Sequence, residues 1–331
     1  MIDFRYHLVS IIAVFLALAV GLIIGSTALT GTTEQALTAA QHRLTSQNKA
    51  LTKQNGLLLQ QVKGDQAFAQ ANSARLLAGL LTGERVVLVA APGADGAVIS
   101  GLTTALHEAG ATVTGQVSLT SAFTTTSGEN EDALSGLARR LASSTGLALT
   151  TPPAGAVGAA QQEAAQVLAA SLLGSSTALA PAASEAILSG FSQPGFVSVD
   201  SGSPASAPAD LAVLVTPAGP PSQLTESDVL MAVARELRSA GSATVMAGAV
   251  SSIGSDSVIA AENNAGNVST VDNADTPTGQ ILVVQALRFL LNGKAPAAYG
   301  AQPAAAPSPG PTPSATSAPK SGSSAPVKGH G

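Results

Sequence analysis

Arg85-Val-Val-Leu-Val-Ala-Ala91 is apolar without a break after its first residue, and it stops at Pro92-Gly93. The run does not alternate apolar with polar, so a strand made from it has to be covered on both faces. Such strands belong to parallel sheets flanked by helices. The following sequence keeps to that plan. Ala97 to Ala109 has helical spacing through Val98, Leu102, Ala105 and Leu106, and Thr112 to Val117 reads as a second strand. Asp132 to Ala142 and Ala159 to Leu173 are predicted helices, and Gly195 to Val199 and Leu211 to Val215 are predicted strands. Glu226 to Ala240 is a helix, Ala243 to Met246 and Val268 to Val271 are strands, and Gly279 to Leu291 closes the domain as a helix. Residues 83–296 are therefore predicted as one α/β domain, a doubly wound, mostly parallel sheet of about five or six strands. A transmembrane β-barrel strand alternates apolar and polar residues; Val86–Ala91 and Leu211–Val215 do not.

Before this domain, Leu37, Leu44, Leu51 and Leu58 recur every seven residues, and no Pro interrupts residues 32–81. The intervening seam positions are Gln41, Asn48, Asn55 and Val62. One Leu per heptad makes a thin seam, and Asn in a seam sets register and oligomer state at a cost in stability. Residues 31–82 are predicted as a coiled-coil stalk, with Leu37, Leu44, Leu51, Leu58, Asn48 and Asn55 as the oligomer seam of a homo-oligomer. A single amphipathic helix folded back on the domain is the alternative.

From Leu8 to Leu29 no charged residue occurs. A helix rising 1.5 Å per residue spans a hydrocarbon layer of about 30 Å with about 20 residues. Residues 1–30 are predicted as a transmembrane signal anchor, so membrane lipid is one partner. The run is longer than the apolar core of a secretory signal, although Ser26 and Ala28 would suit cleavage after Ala28. Arg5 precedes the span and Arg43 and Lys49 follow it, a near balance under the positive-inside rule. The short head favours a single-pass protein with its main domain extracytoplasmic.

Residues 297–331 are almost wholly Ala, Pro, Ser, Gly, Thr and Lys, and are predicted to be a disordered tail. Charged residues make up 11% of the 331, Cys is absent and the formal net charge is −5. That balance predicts no nucleic-acid partner. The lack of Cys rules out disulfides, thiolate metal sites and cysteine nucleophiles.

The opening Asp3-Phe-Arg-Tyr-His-Leu-Val-Ser10, running into the apolar span, resembles the start of the mycobacterial copper transport protein B family. The likeness continues through the heptad helix, the strand followed by Ala91-Pro-Gly-Ala-Asp95, His107-Glu-Ala-Gly-Ala-Thr-Val113, and Val271-Asp-Asn-Ala-Asp-Thr-Pro-Thr-Gly-Gln280. It covers about residues 1–300. The resemblance implies copper transport or copper resistance in an actinobacterial envelope, residence in the cell membrane or outer envelope, and lower copper inside the cell. Copper would be a transported ion rather than a cofactor. The residues themselves show no dedicated copper site. Cu(I) sites use Cys and Met, and Cu(II) sites use imidazole and carboxylate. After Met1 only Met231 and Met246 remain, both expected in the core. His7, His42, His107 and His330 are spread one to a segment.

No enzyme signature emerges. Gly96-Ala-Val-Ile-Ser-Gly101-Leu102-Thr103 has the spacing of a phosphate-binding loop, but Leu102 stands where lysine is needed. No dinucleotide fingerprint follows the first strand, His107-Glu108 lacks a second His, and no Gly-x-Ser-x-Gly elbow occurs. The polar segment from Asn263 to Gln280 is the remaining candidate. It contains Asn263, Asn264, Asp272, Asn273, Asp275, Thr276 and Thr278, next to a predicted strand end where α/β folds place ligands. Asp272, Asp275, Thr276 and Thr278 form the possible ligand loop; capping of the last helix by Thr276-Pro277 is the other reading. Three functions fit this organisation: an oligomeric copper transporter, an envelope scaffold whose head binds a protein or cell-wall partner, and a component that hands a small ligand to a transporter.

Overall fold

The computed structural model describes residues 4–126, 128–152, 158–174, 179–202, 204, 207–217, 219, 224–252 and 257–301. The chain divides into two compact units, Met1–Ala67 and Phe68–Gly331.

The first unit is helical. Helix α1 covers Phe4–Leu77, so the predicted span and the predicted stalk share one backbone conformation. Tyr6–Gly25 is the one helical stretch among the described residues long and apolar enough to cross a membrane. Its 20 residues correspond to about 30 Å of helix. Leu8, Ile12, Phe15, Leu22 and Ile23 are exposed, and the stretch is apolar on every side, as a membrane span is. Further along, the heptad leucines are exposed: Leu37, Leu44, Leu51 and Leu58 are 70%, 66%, 58% and 51% exposed. The Thr45 and Thr52 hydroxyls donate to the carbonyls of Gln41 and Asn48, each at 2.8 Å, which keeps these polar groups satisfied within the helix.

The second unit is the α/β domain. Its elements are β1 (Arg85–Ala90), α2 (Gly96–Glu108), β2 (Thr112–Leu119), α3 (Ser121–Thr124), α4 (Glu129–Thr145), α5 (Ala159–Leu172) and α6 (Pro181–Ser192). They continue as β3 (Val197–Gly202), β4 (Leu211–Val215), α7 (Leu224–Ala240), β5 (Ala243–Ala247), α8 (Val258–Ala265), β6 (Ser269–Val271), α9 (Pro277–Leu291) and β7 (Ala298–Tyr299). The seven strands lie in the order β3-β2-β1-β4-β5-β6-β7. All neighbours pair in parallel except β2 and β3.

Side-chain alternation along the strands splits the core. Val86, Leu88, Leu211, Val213, Val215, Val245 and Ala247 belong to one cluster, which takes Leu102 and Leu106 from α2 and Val283, Val284 and Leu287 from α9. Ala69 and Leu77 at the end of α1, and Leu81 after it, join the same cluster. Val87, Val89, Ala212, Leu214 and Met246 face the other cluster, with Leu134 of α4, Leu168 of α5, Ile187 and Phe191 of α6, and Leu230 and Leu237 of α7. Burial of each such Leu or Ile contributes about 1.5–3 kcal/mol.

Several expectations are corrected. The sheet has seven strands rather than about five or six, and β3 is antiparallel. Strand β3 carries Ser198 and Asp200 and leaves Val199 40% exposed, the wet edge that antiparallel pairing tolerates. Helices α3, α6 and α8 lie where the sequence pattern predicts none: α3 and α8 span only four and eight residues, and α6 is nearly all Ala, Ser and Gly around Ile187, Leu188 and Phe191. Strand β7 lies inside the stretch that composition assigned to the tail at 297–331. Its two residues hold by pairing Ala298 with Thr270 and Tyr299 with Val271. The rest of that stretch, residues 302–331 with His330, lies outside the described residues, as does the opening Met1–Asp3.

Candidate functional site

In a parallel sheet the loops at the carboxyl ends of the strands gather along one edge. Strands β2 and β4 lie on opposite sides of β1, and ligands of open α/β folds favour the crevice at such a reversal. Here the crevice is bridged. Ala94, in the loop after β1, pairs with Pro217, in the loop after β4, and Ala91 N–H donates to the Val215 carbonyl at 2.8 Å. Gly93 makes the turn with φ 76°, and Asp95 then caps α2 by accepting from the Ala97 N–H at 2.8 Å. The phosphate-loop spacing has no phosphate role in this geometry. Gly101 lies inside α2, where an added Cβ would sit 2.2 Å from the Gln280 amide nitrogen of α9.

The same zipping continues along the edge. Thr216 N–H donates to Ala247 at 2.9 Å, Gly248 N–H to Val271 at 2.8 Å, Ala274 N–H to Gly248 at 2.8 Å and Asp272 N–H to Tyr299 at 3.2 Å. The polar segment after β6 supplies the side-chain ties. Asp272 is 1% exposed, and its Oδ1 accepts from Ala301 N–H at 2.6 Å. Gly300 passes directly over it: an added Cβ would lie 1.8 Å from Asp272 Oδ1. Asp275 is exposed, and its Oδ1 accepts from Val250 N–H at 2.9 Å. Thr276 is the N-cap of α9. Its hydroxyl accepts from Gly279 N–H at 3.0 Å and donates to the Asn273 carbonyl at 2.8 Å. Thr278 is exposed. Asn263 accepts from the Thr270 hydroxyl, Asn264 is exposed, and Asn273 Oδ1 is buried without a hydrogen-bond partner.

Thus Asp272, Asp275 and Thr276 each tie a different segment: the chain after β7, the turn at Val250 and the start of α9. Bonds from backbone N–H groups to carboxylates are among the stronger ones a loop can make. The chemistry available is that of a clasp. Among the described residues no three His, Cys, Asp or Glu side chains lie together in a group able to hold a metal ion. His7, His42 and His107 are exposed and far apart in sequence.

A groove of about 260 Å³ opens elsewhere, lined by Gln162 of α5, Asp228, Met231 and Arg235 of α7, and Asn267 after α8. Met246 is fully buried, as expected, but Met231 is only half-buried in this groove. The spacing 228-231-235 puts its three side chains on one helix face, a signal present in the sequence but indistinguishable there from core packing. Glu262, on which Arg235 and Asn267 of this groove act, has no exposed surface. Its Oε1 accepts from Val268 N–H at 2.7 Å, and its Oε2 has no partner. Burial pushes the Glu262 carboxyl above the usual carboxylate range, against the pull of the hydrogen bond from Val268 and the charge of Arg235. Glu236 is likewise raised by burial, opposed by its bond from Gln162 at 3.1 Å.

Away from these loops, two ion pairs among the described residues join elements of the domain. Arg85 donates two bonds to Asp210, at 3.0 and 2.9 Å, joining the starts of β1 and β4. Arg139 of α4 does the same to Glu163 of α5, which is 4% exposed and also accepts from Ser135.

Comparison with known proteins adds what this geometry does not contain. Residues 1–309 match the family described as copper transport outer membrane protein, MctB. The copper transporter MctB of Mycobacterium tuberculosis is 28% identical over 309 residues, covering 91% of this chain and 96% of that protein. The copper transporter MctB of Mycobacterium leprae is 29% identical over 316 residues, with the same shares covered.

Proposed function

The chain belongs to the MctB copper transport family, and from that membership we propose that it is a single-pass envelope protein that lowers copper inside the cell as a homo-oligomer. The family match over residues 1–309 carries the copper role. Copper is cargo in this reading, and the chain performs no catalysis. The segment Tyr6–Gly25 stays uncleaved as the anchor, and the α/β domain stands on the extracytoplasmic side. Support for the anchor comes from a stretch that is apolar and exposed on every side, a surface water would disfavour.

Support for the oligomer comes from the bare seam. Leu37, Leu44, Leu51 and Leu58 expose more than half of their surface, and they recur at the interval a coiled coil buries. Asn48 and Asn55 at the alternate seam positions suit a parallel pair in which the amides meet each other. Anchoring in one membrane imposes the same parallel sense. Backbone inside lipid must satisfy its own hydrogen bonds, so a polar path for copper needs helices from several chains when each brings one span.

The test is copper content in a deletion strain complemented with the full chain or with a Leu44→Asn, Leu51→Asn chain. The full chain should restore low copper, and the double variant should reach the membrane but fail to do so. Failure of the full chain would remove the copper role; rescue by the double variant would remove the oligomer. A scaffold that binds an envelope protein or cell-wall partner is the second reading. It is favoured by the clasp at the sheet edge, whose carboxylates are engaged by backbone. It predicts membrane crosslinks and no copper phenotype on deletion.

A further inference from the structure

Residues 35–64 contain Arg43, Lys49, Lys53 and Lys63 and no Asp or Glu, in a chain whose formal net charge is −5. All four side chains are exposed on α1. With Leu37, Leu44, Leu51 and Leu58 at heptad position d, Lys49 and Lys63 fall at b, Lys53 at f and Arg43 at c. These positions point away from the seam, with Lys53 central, Lys49 and Lys63 on one flank of it and Arg43 on the other. The flanking positions e and g hold Thr45, Thr52 and Leu59, and Gln47, Gln54 and Gln61. The cations are therefore not placed for the interhelical e–g pairs that set partner choice in coiled coils. No acid lies three or four residues from any of them, so intrahelical pairs are absent as well. Lys49 and Lys53 are themselves four apart, a like-charge spacing that destabilises a helix. Exposed cations with no acid at pairing distance along the helix leave this face open to an external anion.

The shape of the row identifies the kind of partner. From Arg43 to Lys63 it runs about 30 Å along the helix, and it starts about 27 Å of helix beyond Gly25. Screening reduces charge interactions beyond about 8 Å at physiological salt, which separates the row from headgroups at the end of the span. The outward positions between the cations hold Ser46, Ala50, Gly56 and Gln60, with Leu57 the one large apolar side chain. Protein interfaces need aromatic or aliphatic anchors at their centre, whereas polyanion binding needs only cations in line with the polymer charges. We propose that this outward row docks a linear polyanion of the envelope lying along the stalk. The inference rests on the seam proposed above for which face is outward. A paired stalk presents the row twice.

Inorganic polyphosphate is the probe, added to the full chain in neutral detergent. Four phosphate contacts predict that affinity drops about 50-fold between 50 and 200 mM salt. An Arg43→Gln, Lys49→Gln, Lys53→Gln, Lys63→Gln chain keeps good helix formers; it should lose the binding and keep the crosslinked oligomer of the parent. A parent that fails to bind polyphosphate at 50 mM salt, or a variant that binds equally, overturns the proposal. Equal failure on polyphosphate combined with variant-sensitive binding to phosphatidylglycerol vesicles assigns the row to lipid and also overturns it. Loss of the oligomer in the variant assigns the row to self-association, with the same consequence. Failure of the seam is separately visible, because the Leu44→Asn, Leu51→Asn chain would still bind polyphosphate through a single row.

Discussion

Replacing Gly279 with Ala tests whether the segment after β6 is a clasp. Gly279 is buried in the first turn of α9, and an added Cβ would stand 1.9 Å from the Asn273 carbonyl oxygen and 2.3 Å from its carbon. Both are backbone atoms, so no side-chain rotation relieves the overlap. Real Cβ contacts stay beyond 3.0 Å, and the turn has to retreat by more than an ångström. Overpacking of this kind costs about 1–3 kcal/mol. The retreat also breaks the cap bond from Gly279 N–H to the Thr276 hydroxyl, which is 3.0 Å long and contributes about 1 kcal/mol. A loss of about 2–4 kcal/mol should lower the melting temperature of a domain this size by about 4–16 °C. Thr278→Ala, one residue away but exposed, should stay within about 0.5 kcal/mol of the parent. The assay is thermal unfolding of the full chain in detergent, followed by near-ultraviolet circular dichroism. An unchanged melting temperature for Gly279→Ala would show that α9 does not start against Asn273, and the clasp would lose its basis.

Three more outcomes are expected. Glu262 holds its proton to higher pH when folded than when unfolded, so its contribution favours the folded state at low pH. That contribution is lost as pH rises from the unfolded carboxyl range, about 4.3, through the raised folded value. Glu262→Gln should therefore flatten stability against pH in denaturant titrations, and an unchanged slope would mean that burial does not perturb this group. Leu102→Ala removes a side chain with no exposed surface from between α2 and the sheet, and should cost about 2–5 kcal/mol in the same unfolding assay. Leu51→Asn should reduce crosslinking of the stalk in membranes; undiminished crosslinks would place the contact elsewhere.

Legibility in the sequence followed the length and repetition of the signal. The apolar strands β1, β4 and β5 were plain because burial on both faces removes every polar residue from the run. Helices α2, α7 and α9 showed their apolar stripes over three turns or more. Strand β7 was hidden because two residues have no period, and they are strands only through their bonds to β6. Helix α6 was hidden by its small residues. Within the candidate loop, Thr276-Pro277 announced a helix start, but nothing local marks Gly300 as the residue that lies over Asp272. Met231 shows the same limit: its helix position was readable, and its half-exposure depends on what α5 and α8 leave uncovered.

The amino-acid order alone determined the apolar stretch at Tyr6–Gly25, the heptad leucines, the four cations on the same helix and the class of the domain. Each is a property of neighbouring residues on one helix or strand, and local geometry repeats it faithfully. Only the tertiary structure decided the strand order, the bridge between Ala94 and Pro217, and the use of Asp272 and Asp275 to hold backbone. Those depend on segments far apart in the chain reaching the same edge of the sheet, and a contact across that distance leaves no periodic trace in the residues that make it.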